Sequence, residues 1–280
     1  MDLSTGILFW GFLIVYGIVM YVISPKTVSV GGFFRGEDRQ GRDANPWMIT
    51  ASIFIAWIFA KSVTNAANMG ASFGIVGGIG YAVYWLCIPL TGWALYRLRR
   101  KFGATSLVSF LTEHYGVAAA FCFSAAILVR LSNTSVVGAY YGDSGTAPFV
   151  IAALLFTVIT VAYCCRGGMR GSLITDVVQA VLFAVLLIGV LMVVVPMNPI
   201  GDYATSGVWS LEGGVDFIIG AGLQCLSYGF HDAVLTDRGF LCEEKKMLKC
   251  FTVAGLLGFV AIVLFSLIGV HAYLNGISYA

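Results

Sequence analysis

PFVIAALLFTVITVAYCCRGGMRGSLITDVVQAVLFAVLLIGVLMVVV, residues 148–195, holds two apolar runs on either side of a basic, glycine-bearing turn, Arg166-Gly-Gly-Met-Arg170, and Asp176 is its only acid. Each run approaches the roughly 20 residues that cross a bilayer as a helix. The stretch therefore predicts two membrane spans, 148–165 and 174–196, joined on the side of the membrane that holds Arg166 and Arg170.

The pattern continues in both directions. The 280 residues are 59% hydrophobic and 11% charged, with a formal net charge of +2. Ordinary globular domains carry about 25% charged residues, so this chain cannot cover a water-facing surface of its size. A soluble domain, disorder, a coiled coil and nucleic-acid binding through a basic patch are excluded together. Further spans are expected at 6–24, 47–68, 78–96, 117–139, 216–236 and 251–273, which makes eight in a single transmembrane domain over 1–280. The first opens on Met-Asp and closes on Ser-Pro-Lys, so it reads as a span and not as a secretory signal, which would begin basic and end in small residues. A glycine-rich break near residue 77 marks the hairpin between the second and third.

Orientation follows from the Lys/Arg bias of the loops. With the N-terminus outside, the inner loops hold Lys26, Arg35, Arg39 and Arg42, then Arg97, Arg99, Arg100 and Lys101, then Arg166 and Arg170, then Arg238, Lys245, Lys246 and Lys249. Only Lys61 and Arg130 remain of the 16 basic residues, both inside spans. The C-terminus is then outside as well, and the host is a plasma membrane of the bacterial inner-membrane kind. The seven cysteines fall in spans or inner loops, where nothing points to a disulfide. Residues 106–115 read as a short surface helix capped by Thr105 or Ser106.

Ionisable groups within spans are costly and mark function by default. Lys61, Asn65 and Asn68 follow i, i+4, i+7 and share a helical face, with Ser62 and Thr64 beside it. Such a stripe faces a water-filled cavity or else glues helices together. An ammonium there needs a carboxylate or water, and Asp176 and Asp232 are the candidate partners. Arg130 with Asn133 and Thr134 forms a second polar face, either functional or a structural ion pair. His231-Asp232, following Tyr228-Gly229-Phe230, suggests a locally broken helix. Catalytic signatures are missing: His114, His231 and His271 stand far apart, Cys164-Cys165 is a lone adjacent pair with no metal-type partner doublet, and no Gly-x-Ser-x-Gly, P-loop or dinucleotide fingerprint is present. No enzyme, catalytic residue, organic cofactor or resident metal is expected.

Residues 163–179, Tyr-Cys-Cys-Arg-Gly-Gly-Met-Arg-Gly-Ser-Leu-Ile-Thr-Asp-Val-Val-Gln, resemble a pattern of the sodium/solute symporter family: a Gly-Gly turn, a linker, then Thr-Asp-x-x-Gln opening a helix. Residues 51–60 resemble that family's first core helix, 106–116 its connector, and 228–246 the segment after its sixth core helix. The resemblance covers about residues 30–250. It implies an all-α, polytopic membrane bundle of the LeuT type, in which an extra N-terminal helix precedes two inverted five-helix repeats. The first helix of each repeat is broken at the substrate site.

Carried over by position, the resemblance implies that the carbonyls near Ile55 and Ile58, with Thr175 and Asp176, lie along the cation path. Lys61, Ser62 and Asn65, with His231 and Asp232, would meet substrate, and Arg130 and Asn133 would be structural. Two departures qualify it. Trp57 stands where relatives carry a small polar or acidic residue. Lys61 adds a positive charge, and like charges some 6 Å apart cost about 3 kcal/mol at an effective dielectric of about 20, so a bound sodium ion is the expectation these two residues weaken most. Eight spans would supply only part of the fold. The implied function is a secondary active transporter moving a small organic solute, with Lys61 tilting the choice toward a carboxylate-bearing one. The missing helices would come from more polypeptide or a second membrane chain. The alternative is a non-transporting sensory or regulatory module on the same fold.

Overall fold

A bilayer offers peptide groups no water, so a chain this apolar must pair them within helices. The computed structural model is accordingly an all-α bundle; it describes residues 3–26, 29–58, 60–131, 146–229 and 232–277, and among these there is no strand. The helices are α1 (Leu3–Ile23), α2 (Val30–Arg35), α3 (Pro46–Ala56), α4 (Ala60–Ala82), α5 (Cys87–Phe102), α6 (Leu107–Tyr115), α7 (Val117–Leu131), α8 (Ala147–Val194), α9 (Ile200–Thr205), α10 (Asp216–Tyr228), α11 (Ala233–Arg238) and α12 (Glu244–Leu274).

Among the described residues four apolar stretches are long enough to cross a membrane: Gly6–Ile23, Lys61–Phe102, Ala147–Met197 and Glu244–Leu274. The second and third, of 42 and 51 residues, would rise about 60 and 75 Å if straight, twice the hydrocarbon thickness. Each turns on one glycine. Gly74 (φ 63°, ψ −150°) interrupts α4 and Gly168 (φ 54°, ψ −147°) interrupts α8, in a region of backbone space that side chains rarely reach. The reversal at Gly74 brings Asn65 Nδ2 to 3.3 Å from Tyr81 Oη, sixteen residues on. The turn falls three residues before the position read from the glycine cluster. Gly78 is instead a contact point, where a Cβ would collide with Ser266 of α12.

The long α12 is the axis of the bundle and packs along α3, α4 and α5. Helices without a hydrophobic drive between them associate through small residues that let backbones approach. Here Gly70 and Gly78 of α4 meet Ser266, Gly269 of α12 meets the Ala67 carbonyl, and Gly255 and Gly258 receive Pro89 and Trp85. Phe251, Phe265, Ile262 and Met247 fill the interior from α12 against Ile49 and Ile53 of α3. Outside this core, α1 lies on α8 through Gln179 Nε2 donating to Tyr16 Oη at 2.6 Å and Ser24 Oγ donating to the Tyr163 carbonyl at 2.9 Å. Residues 106–115 form the capped helix read from sequence: Ser106 and Ser109 close a capping box at the start of α6. The span read at 117–139 begins as α7, and its residues 132–139 lie outside the described ones.

Candidate functional site

Asn45 opens α3, its side chain accepting from the Trp47 amide at 3.0 Å, with Pro46 fitting the first turn. The helix stops at Ala56 and a new one starts at Ala60, with no proline or glycine between them. Side-chain contacts hold this break. The Trp57 ring sits edge-on against Trp85 with centroids 6.4 Å apart, and Ser62 Oγ donates to the Trp57 carbonyl at 3.4 Å, taking up an acceptor that an uninterrupted helix would have paired. The Ile55 carbonyl accepts from the amides of Trp57 and Ile58, the latter at 3.0 Å. A second interruption separates α10, ending at Tyr228, from α11, whose first amides are capped by Asp232 Oδ1 accepting from Leu235 N at 3.1 Å.

A charge cluster joins α3, α8 and α11. Arg238, at the end of α11, donates from Nη2 to Asp176 Oδ2 on α8 at 2.7 Å, and from Nη1 to the Val234 carbonyl at 3.1 Å. Ser52 of α3 bridges the pair, accepting from Arg238 Nε and donating to Asp176 Oδ2 at 2.5 Å. Ser172, one turn before Asp176, accepts from Arg238 Nη2 at 3.4 Å. The side chains of Arg238 and Asp176 are 6% and 14% exposed. At that burial each charge depends on the other, because removing one partner strands the remaining charge.

Arg238 and Ser172 of this cluster line a cavity of about 710 Å³, together with Phe33, Phe34, Cys165 and Met169. The cavity lies beside the Gly168 turn, among the inner-loop residues of the charge-bias topology. An arrangement of this kind can block passage between helices while paired and admit a cation to Asp176 when the guanidinium leaves.

The other expected site residues fall as follows. Ile55 and Ile58 are buried at the break, and Thr175 is buried with its hydroxyl donating to the Ser172 carbonyl at 2.8 Å. Ser62 is buried, Asn65 pairs with Tyr81, and Lys61 is exposed at the start of α4. The two carboxylates named as partners for Lys61 are engaged elsewhere, Asp176 with Arg238 and Asp232 as the cap of α11. Among the described residues no carboxylate forms an ion pair with Lys61. Arg130 lies on α7, while Asn133 and His231 fall outside the described residues.

Arg238 is where the sequence reading needs correcting. It counts there as one of four charges in an inner loop, whereas the fold buries it against α3 and α8. Ser52 and Ser172 were likewise absent from the expected site. One signal pointed to them: Ser172 and Asp176 are spaced i, i+4 on one face, and Arg238 is separated from Lys245 by six residues while its immediate followers, 239–242, carry no charge.

No family model matches the chain. Curated proteins do. The chain is 26% identical to mouse solute carrier family 5 member 4B over 212 residues, which is 72% of this chain and 31% of that protein. It is 24% identical to human sodium/glucose cotransporter 4, over 65% of this chain and 27% of the relative. A bacterial relative, the sodium/pantothenate symporter of Escherichia coli (strain K12), is 23% identical over 64% of this chain and 39% of its own length. This chain is related to the sodium/solute symporters. It spans about a third of the length of the curated relatives it matches. The four long apolar helices agree with a membrane location.

Proposed function

We propose that this chain supplies the first helices of a secondary active transporter that moves a small organic solute by alternating access, together with further transmembrane polypeptide. The observation that carries the reading is the buried Arg238–Asp176 pair, which ties α11 to α8 across Ser52 of α3. Its Arg238 and the neighbouring Ser172 line the cavity beside the Gly168 turn. In the paired state the pair acts as an inner gate. Opening requires that the two charges part, and the cost of stranding either is large, so a compensating cation at Asp176 is the natural trigger. Sodium, the ion in the names of the relatives, competes with the Arg238 guanidinium for that carboxylate in this scheme. Lys61, exposed next to the first break, meets the carboxylate of an anionic solute.

Flux into proteoliposomes tests this. An inward sodium gradient should drive accumulation of at least one solute from a panel of sugars, amino acids and organic acids, and Asp176→Ala should abolish it. Lys61→Ala should remove only the carboxylate-bearing solutes. Binding of a solute without net flux, in a preparation containing all the polypeptide that copurifies with this chain, would replace the transporter reading with the regulatory one.

A further inference from the structure

The end of α5 carries Arg97, Arg99, Arg100 and Lys101, the cluster expected of an inner loop. Three of the four are turned onto their own helix. The Arg97 guanidinium lies 5.2 Å from the Trp93 ring centroid, Arg100 reaches Tyr96 Oη at 2.5 Å, and the Lys101 ammonium lies 5.3 Å from the Phe102 ring centroid. Arg99 does something different. Its Nη1 donates to the carbonyls of Gly239 and Cys242, both at 2.7 Å, and its guanidinium lies 5.6 Å from the Phe240 ring centroid. It thus holds the turn that follows α11.

Two further observations make this a tight seat. Leu95, one turn before Arg99, is fully buried, and a Cβ at Gly239 would come within 2.5 Å of its Cδ1. The Gly239 amide is tied back to the Leu235 and Thr236 carbonyls at 3.3 and 3.1 Å. Gly239 is one peptide bond from Arg238. The direction in which Arg238 leaves the backbone is therefore set by where α5 holds residue 239, and a cation on the last carbonyls of a helix is a favourable arrangement in itself.

We propose that Arg99 is a positioning residue for the inner gate: by clamping the carbonyls of Gly239 and Cys242 it aims Arg238 at Asp176, so the gate opens only when α5 and α11 move together. The inference rests on the gate reading above. Arg99 touches neither solute nor ion, and it acts through Arg238.

Its test is the accessibility of a cysteine at Thr175, a fully buried neighbour of Asp176, to a membrane-impermeant methanethiosulfonate applied from the cytoplasmic face. The protein stays in its native membrane, and the natural cysteines are replaced. A hydrogen bond from a charged group is worth about a factor of ten in an equilibrium, so Arg99→Gln should speed labelling about tenfold. Asp176→Asn should do at least as much, and the two together should gain nothing more. Arg99→Lys should recover most of the slow rate, and Arg100→Gln should leave it unchanged. Parent-like labelling in Arg99→Gln, beside fast labelling in Asp176→Asn, would overturn the positioning role alone. Rates that multiply in the double variant would do the same, by making Arg99 a general stabiliser. Slow labelling in Asp176→Asn would overturn the gate itself.

Discussion

Arg238 and Asp176 stand 62 residues apart in the sequence and 2.7 Å apart in the fold, and the hydroxyl of Ser52 lies against both. Three helices that share no local sequence, α3, α8 and α11, are joined by one small polar cluster in an otherwise apolar bundle. Whatever separates those helices must first part these two charges.

Removing either charge should therefore destabilise the protein far more than removing both. Asp176→Asn leaves a guanidinium that is 6% exposed without its counter-charge, a change that typically costs about 3–5 kcal/mol. Asp176→Leu combined with Arg238→Met should return stability to within about 2 kcal/mol of the parent, because apolar pairs of similar volume often replace buried ion pairs without loss. Thermal unfolding in detergent gives the comparison, and the double variant should be stable but unable to transport.

Close helix approach makes a second prediction. At Gly269 an added Cβ would run into the Ala67 carbonyl, whereas at Gly189 it would meet nothing within 4 Å. Gly269→Ala should cost about 1–3 kcal/mol through overpacking, and Gly189→Ala should be neutral or gain up to about 1 kcal/mol from helix propensity. Unfolding temperatures of the two variants should fall on opposite sides of the parent or nearly so.

The loop between α2 and α3 carries a pH signature. The Asp38 carboxyl is held down to about 2 from the ordinary 3.8, first by the Arg42 amide and then by its side chain, with the Gln40 amide adding to the effect. A carboxylate whose pKa is depressed on folding stabilises the loop above the ordinary value, and loses that effect as pH falls through the folded one. Protection of the Gln40 and Arg42 amides from hydrogen exchange, corrected for intrinsic rates, should thus be constant above about pH 5 and disappear between about pH 4 and 2. Asp38→Asn should remove that pH dependence.

The membrane class was legible from charge spacing alone, since apolar runs and basic loops leave little else for 59% hydrophobic sequence to do. The turn at Gly168 was visible too, because Gly167-Gly168 sits between basic residues in an apolar field. The Gly74 turn was harder: Gly70, Gly74, Gly77, Gly78 and Gly80 look alike in sequence, and only the need for φ 63° at one and close contact with Ser266 at others tells them apart. The break after Ala56 has no punctuating residue, and the site behind it was read from resemblance and not from residues. Arg238 was misread for a general reason. A charge at a span end looks the same whether it lies in water or turns inward to a partner, and the partner here is 62 residues away.

The central claim is that sodium and Arg238 compete for Asp176. The most direct test is equilibrium binding of radiolabelled sodium to the purified protein, with all copurifying polypeptide, in the parent and in Asp176→Asn, Arg238→Gln and Arg238→Lys. The account predicts saturable binding in the parent, its loss in Asp176→Asn, tighter binding in Arg238→Gln, and parent-like binding in Arg238→Lys. Sodium affinity that is unchanged or weaker in a folded Arg238→Gln, or that survives Asp176→Asn, would contradict it.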